Sequence, residues 1–185
     1  MHGRGGMMGG GGDLERRAFT ELRTSGRRIE GYAATFHSEA RMGRYVETIA
    51  PGAFTDALGS DVIALLDHDP GKVLGRTRSG TLRLTQDSRG LAFSLDVADT
   101  QAGRDVLALA ERGDLGGMSF GFQVPKGGES WTGERRTLTR IGLKEISVVS
   151  AWPAYPDTSL ALRARGNAAE SRQRRLVMAE FGVWA

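Results

Sequence analysis

A single serine interrupts the apolar stretch GDLGGMSFGF. At a period of two residues, Phe120 and Phe122 point to one face of a strand and Ser119 points to the other. Gly117 and Gly121 flank the serine on its own face, so these neighbouring positions carry no side chain. Two interpretations stand at this point. Ser119 is either a small residue that fits a tight barrel corner, or a nucleophile that the flanking glycines leave accessible.

A serine nucleophile requires a base, and imidazole serves near neutral pH. The chain has three histidines. His2 lies in a glycine-rich arm, and His37 ends a strand-like stretch among polar residues. His68 ends the most apolar strand-like stretch, DVIALLDHDP, where a rigid core can aim the ring. A structural histidine at the rim of a buried strand is the alternative for His68.

The base in turn requires a partner for its second ring nitrogen. In a strand, Asp67 and Asp69 would point away from the face of the histidine between them. Glu145 lies in the apolar segment LKEISVVS, and buried carboxylates are uncommon unless paired. Glu145 therefore either orients the histidine from another strand or forms a salt bridge with Arg140, Lys144 or a more distant arginine.

Short alternating segments separated by glycine turn signals predict an α+β fold, a small and mainly antiparallel β-barrel with packed helices. The first two strands are joined by a turn at Ser25–Gly26, and a later hairpin turns near Thr132–Gly133. The predicted strands cover 15–23, 27–36, 44–50, 61–70, 72–77, 81–87, 91–97, the serine segment, both arms of the later hairpin and 143–151.

Two helices are predicted. The segment 51–59 is a short helix opened by Pro51. The clearer helix covers 99–114, where Asp99 or Thr100 caps the start and Gly113 ends it. Its apolar stripe consists of Val106, Leu109 and Ala110.

The chain divides into a flexible glycine-rich arm at 1–13, one domain at 14–162 and a basic tail at 163–185. The tail holds five arginines and two glutamates, which accounts for the whole net charge of +3. The remainder is neutral, which argues against nucleic-acid binding. The chain has no cysteine, no apolar run long enough to span a membrane, no signal peptide pattern and no metal-ligand motif.

Three blocks occur in order along the chain: LLDHDPGKVLGRTRSGTLRL, DTQAGRDVLALAERGDLGGMSFGF and LKEISVVSAWPAYPDT. In combination they resemble the tailed-phage prohead maturation proteases, which share a fold with herpesvirus assemblins. The resemblance covers roughly residues 14–162. It implies a serine endopeptidase without a cofactor that acts inside the immature capsid in the host cytoplasm. Its substrates would be scaffold segments of the major capsid protein or a separate scaffolding protein, and also itself.

The resemblance also implies roles for individual residues. Ser119 is the nucleophile and His68 the general base. Glu145 takes the third position, where the herpesvirus enzymes have a second histidine. By similarity to those enzymes, Ala151 and Trp152 mark the oxyanion hole, and the herpesvirus dimer implies a homo-oligomer.

The glycines flanking the serine would let a substrate strand lie against that face by main-chain pairing. A non-catalytic factor for capsid assembly or scaffold binding, built on the same barrel, is the alternative function.

Overall fold

The computed structural model describes residues 15–19 and 22–150, and these form three β-sheets with one α-helix. The predictions for the arm at 1–13 and the tail at 163–185 lie outside the described residues. In chain order the strands are β1 (Glu15–Phe19), β2 (Leu22–Ser25), β3 (Arg28–Thr35), β4 (Ala40–Met42), β5 (Tyr45–Ile49), β6 (Ile63–Leu66), β7 (Asp69–Arg76), β8 (Leu82–Gln86), β9 (Gly90–Asp96), β10 (Gly117–Gln123), β11 (Glu129–Thr132), β12 (Arg135–Leu138) and β13 (Gly142–Val149).

The serine strand lies inside the largest sheet, which has the order β1-β10-β13-β6-β7. The second sheet has the order β11-β12-β5-β4, and the third has the order β2-β3-β9-β8. Most pairs are antiparallel, but β13 pairs with β6 and β12 pairs with β5 in parallel. The long connections that parallel pairing requires bring segments far apart in sequence next to each other.

The predicted closed barrel is wrong for the part of the chain that the structure describes. A barrel requires the outermost strands of one sheet to pair with each other. Here β1 and β7 form opposite edges of the largest sheet, and none of the three sheets closes. The fold is mainly β, with mixed and antiparallel sheets.

The helix α1 covers Gln101–Arg112 and leads into the serine strand. Thr100 accepts a hydrogen bond from the backbone N–H of Gly103 at 3.1 Å, and Gly113 ends the helix in the left-handed conformation at φ 72°. Both ends were predicted. The apolar stripe differs in one member, because Leu107 is buried and Leu109 is only half-buried.

The second predicted helix, at 51–59, reduces to one 3-10 turn at Thr55–Ala57. Gly52 follows Pro51 with φ 87°, a left-handed conformation that prevents a helix from starting at the proline. Ala53 and Phe54 are fully buried beside this turn. Core packing therefore decides the shape of this segment.

Some strand assignments also differ from the prediction. The segment 15–23 contains two strands, β1 and the start of β2, instead of one. The segment 61–70 ends as a strand at Leu66, and Pro70 belongs to β7. The short strand β4 was not predicted. The turns at Ser25–Gly26 and Thr132–Gly133 are confirmed, since β2 and β11 end at these positions and β3 and β12 follow.

One face of β10 and β13 forms the centre of the hydrophobic core. Its fully buried members include Met118, Phe120, Phe122 and Ile146. The rings of Phe120 and Phe122 stack with centroids 5.1 Å apart. Because these side chains are tightly packed in the core, they fix the positions of β10 and β13. The residues on the opposite face of the two strands are therefore held rigidly.

A buried arginine connects the largest sheet with the second sheet. Arg136 donates to Glu15 at 2.6 and 2.9 Å, to Glu47 at 2.8 Å and to Glu129 at 2.5 Å. The hydrogen bonds to Glu15 are the largest of the effects that raise the pKa of the Arg136 guanidinium. This cluster joins β1, and through it the serine strand, to β5, β11 and β12.

Candidate active site

Ser119 lies in the middle of β10, opposite Ser147 on β13. The next pair on the same face is Gly121 with Glu145. A β-bulge follows, because Phe122 pairs with Leu143 and Lys144 is left out of the ladder. The bulge allows Leu143 to face the core while Glu145 lies on the face of Ser119.

His68 lies in a turn and not in a strand, which corrects the sequence-based placement. Leu66 pairs with Asp69, so Asp67 and His68 form a two-residue hairpin turn between β6 and β7. Both have positive φ, 53° and 59°, which is the signature of a type I′ turn. This conformation is uncommon for a histidine and costs free energy, so the surrounding contacts must hold it in place.

Asp67 supplies those contacts. Its backbone N–H donates to the carbonyl of Val148 at 2.9 Å. Its carboxylate accepts from the backbone N–H of Ser150 at 2.8 Å and from the Ser150 hydroxyl at 2.5 Å. The turn that carries His68 is therefore fastened to the end of β13, the strand next to Ser119.

The imidazole of His68 meets the carboxylate of Glu145. Nδ1 lies 2.7 Å from Oε1, and the two side chains retain 16% and 9% of their exposure. A carboxylate accepts hydrogen bonds only, so Nδ1 carries the proton and the neutral ring keeps its lone pair on Nε2. Arg140, one of the three alternative partners predicted for Glu145, donates to the carbonyl of Lys126.

Gly121 leaves the space that the side chain of Glu145 occupies. A Cβ at this position would be 3.0 Å from both Cδ and Cγ of Glu145 and in closer conflict with Oε1. β10 is also paired along both edges, with β1 and with β13. The missing side chain at Gly121 leaves room for the carboxylate. The main-chain pairing of a substrate strand against the face of Gly117 and Gly121 stays a prediction.

Gly117 has a conformational role at the start of β10. Its φ of 134° is one that side-chain-bearing residues rarely adopt. The chain needs this conformation where it turns into the serine strand.

The structure brings His68 and Glu145 into contact, and Ser119 lies on the same face of β10 and β13 as Glu145. Ser119 is buried, with 3% exposure. Within the described residues, no hydrogen bond joins its hydroxyl to His68. Catalytic hydrogen bonds often tighten only when substrate is bound. Ala151 and Trp152, predicted for the oxyanion hole, lie outside the described residues.

The family model for the Caudovirus prohead serine proteases matches residues 13–173. The chain belongs to this family. It is a serine peptidase of phage capsid maturation, so the resemblance and the endopeptidase class stated from the sequence are confirmed. Searches of the curated proteins and of the solved structures each found no match.

The prohead protease has two site residues that the sequence reasoning missed. Ser147 is fully buried, and its hydroxyl donates to Oε2 of Glu145 at 2.5 Å. Its position two residues after Glu145 was a signal, because residues i and i+2 of a strand share a face. Asp67 was set aside on the assumption that a strand continues through it.

Among residues 15–19 and 22–150, no group of three or more His, Asp or Glu side chains could hold a metal ion. No helix in the same residues is long and apolar enough to cross a membrane. The other described histidine, His37, is exposed in the loop after β3.

Proposed function

We propose that Ser119, His68 and Glu145 are the catalytic triad of this prohead protease. The observation that carries the proposal is the 2.7 Å contact between His68 and Glu145 on the face of β10 and β13 that holds Ser119. A histidine held by a carboxylate beside a strand serine is the arrangement that activates a hydroxyl.

The proton transfers follow from the tautomer. Ser119 Oγ attacks a peptide carbonyl carbon while His68 Nε2 accepts the hydroxyl proton, and Glu145 stabilises the imidazolium. His68 then gives that proton to the leaving amine as the C–N bond breaks, which leaves an acyl-enzyme. Water attacks the acyl carbon, passes a proton to Nε2, and the proton returns to Ser119 Oγ as the ester bond breaks.

The substrates proposed are scaffold segments of the major capsid protein or a separate scaffolding protein, together with the protease itself. Family membership supports capsid and scaffold substrates.

We further infer that the enzyme acts inside the immature capsid in the host cytoplasm. We also infer that it forms a homo-oligomer, because the herpesvirus enzymes of related fold are active as dimers. Light scattering of the purified protein measures the oligomer, and a single monomeric mass would contradict it.

The central test is co-expression with the major capsid or scaffolding protein of the same genome, read by intact-mass spectrometry. Wild type is compared with Ser119→Ala and with Ser94→Ala. Ser94 is a half-buried strand serine that donates to Glu30, so its loss controls for the substitution itself. We expect defined cleavage in wild type and the control, and none in Ser119→Ala. Cleavage that persists in Ser119→Ala would refute the assigned nucleophile.

A second test needs no substrate. A fluorophosphonate should add to Ser119 in wild type, and His68→Ala should slow the labelling by several orders of magnitude. Peptide mapping identifies the modified residue. Shells that form without cleavage, combined with an unreactive Ser119, would instead favour a non-catalytic assembly factor.

A further inference from the structure

Glu145 has a second oxygen, and the structure gives it a specific partner. Oε1 faces His68, whereas Oε2 accepts the hydroxyl hydrogen of Ser147 at 2.5 Å. Ser147 is fully buried. A buried hydroxyl that donates to a carboxylate makes a stronger bond than one between neutral groups.

The strand register explains why Ser147 can do this. Glu145 and Ser147 lie two residues apart on the same face of β13. Ser147 is also the direct cross-strand neighbour of Ser119. Ser147 therefore lies opposite the nucleophile on the neighbouring strand, and its hydroxyl is directed to the carboxylate.

We propose that Ser147 is a positioning residue for catalysis. This inference rests on the proposed triad. With His68 on one oxygen and Ser147 on the other, the carboxylate cannot rotate about its last bond without losing a hydrogen bond. Ser147 thereby fixes the plane in which Glu145 presents Oε1, and so the direction of the imidazole.

Ser147 donates to the same carboxylate that meets His68, so the loss of its hydroxyl changes the surroundings of both side chains. The nearby carboxylates Asp67 and Asp69 bind Ser150, and Gly71 with Lys72, so they keep their own partners when Ser147 changes.

The experiment measures the rate of fluorophosphonate labelling of Ser119 as a function of pH. The variants are Ser147→Ala, Glu145→Ala, the double variant and the control Ser94→Ala. We expect Ser147→Ala to label about ten-fold to a hundred-fold more slowly. Its pH profile should also differ from that of wild type, because Ser147 contacts the carboxylate that meets His68. In the Glu145→Ala background, the same change should have almost no further effect, because Ser147 acts through Glu145.

The outcomes separate the two proposals. Wild-type labelling by Glu145→Ala would overturn both the triad and the role of Ser147. Slow labelling by Glu145→Ala together with wild-type rate and profile in Ser147→Ala would overturn only the positioning role, as would full additivity in the double variant. Ser147→Cys, with similar volume and a weak donor, repeats the test if the alanine variant fails to fold.

Discussion

Gly121→Ala tests the geometry of the site without removing any functional group. A Cβ at position 121 would lie 3.0 Å from Cδ and Cγ of Glu145, closer than the 3.4 Å at which ordinary contacts begin, and closer still to Oε1. Gly121 does not have a positive φ, so alanine causes no backbone strain. The atoms in conflict are the end of a flexible side chain, which moves more easily than backbone.

The carboxylate must therefore retreat, and about 1 Å is enough to remove its contact with His68. The present 2.7 Å distance would become about 3.7 Å, which no longer counts as a hydrogen bond. Misplacement of this size costs about 10²-fold in rate, equivalent to about 2.7 kcal/mol of transition-state stabilisation. Folding stability should change by less than about 1 kcal/mol, because alanine is favoured over glycine inside a strand.

The assay compares kcat/KM on the co-expressed capsid or scaffold substrate with the urea unfolding midpoint. Gly142→Ala is the matched control, since Gly142 lies on the neighbouring strand and its Cβ would meet only the Gln123 carbonyl at 3.3 Å. A folded Gly121→Ala variant with wild-type kcat/KM would refute the argument that the position of Glu145 controls catalysis.

Three further predictions concern the supports of the site and the fold. Asp67→Ala should keep the fold but lower kcat/KM at least about ten-fold, because the His68 turn loses its bonds to Ser150; unchanged kinetics would contradict this. Arg136→Met should lower the urea unfolding free energy by roughly 3 kcal/mol, since it removes the guanidinium that donates to the buried carboxylate of Glu47, and a change near zero would contradict this. The Tyr32 hydroxyl, followed by two backbone N–H groups, lowers the pKa of Asp87 below its usual 3.8. The stability advantage of wild type over Asp87→Asn should therefore be full well above pH 3.8 and disappear as the pH falls through the lowered pKa, which unfolding titrations at several pH values can check.

The sequence predicted the three residues of the proposed triad, because local patterns carry that information. Ser119 has a glycine on each side at a spacing of two, His68 follows an apolar strand, and Glu145 is a carboxylate in an apolar strand. These are properties of short segments, and each marks a candidate residue for which a structural role was the alternative. The helix α1 was predicted for the same reason, since its capping residues and apolar stripe are local signals.

Tertiary structure decided everything that depends on register and on contacts between distant segments. Sheet closure is set by which strands pair at the edges, so the barrel could not be tested from periodicity. The role of Gly121 requires knowing that Glu145 lies opposite it, and the role of Ser147 requires the direction of a hydroxyl. The position of His68 in a turn depends on Asp67 binding Ser150, which lies far away in the chain. Local spacing determined which side chains are proposed for catalysis, and the pairing of β10, β13 and β6 determined how they are held, because only pairing fixes distances between strands.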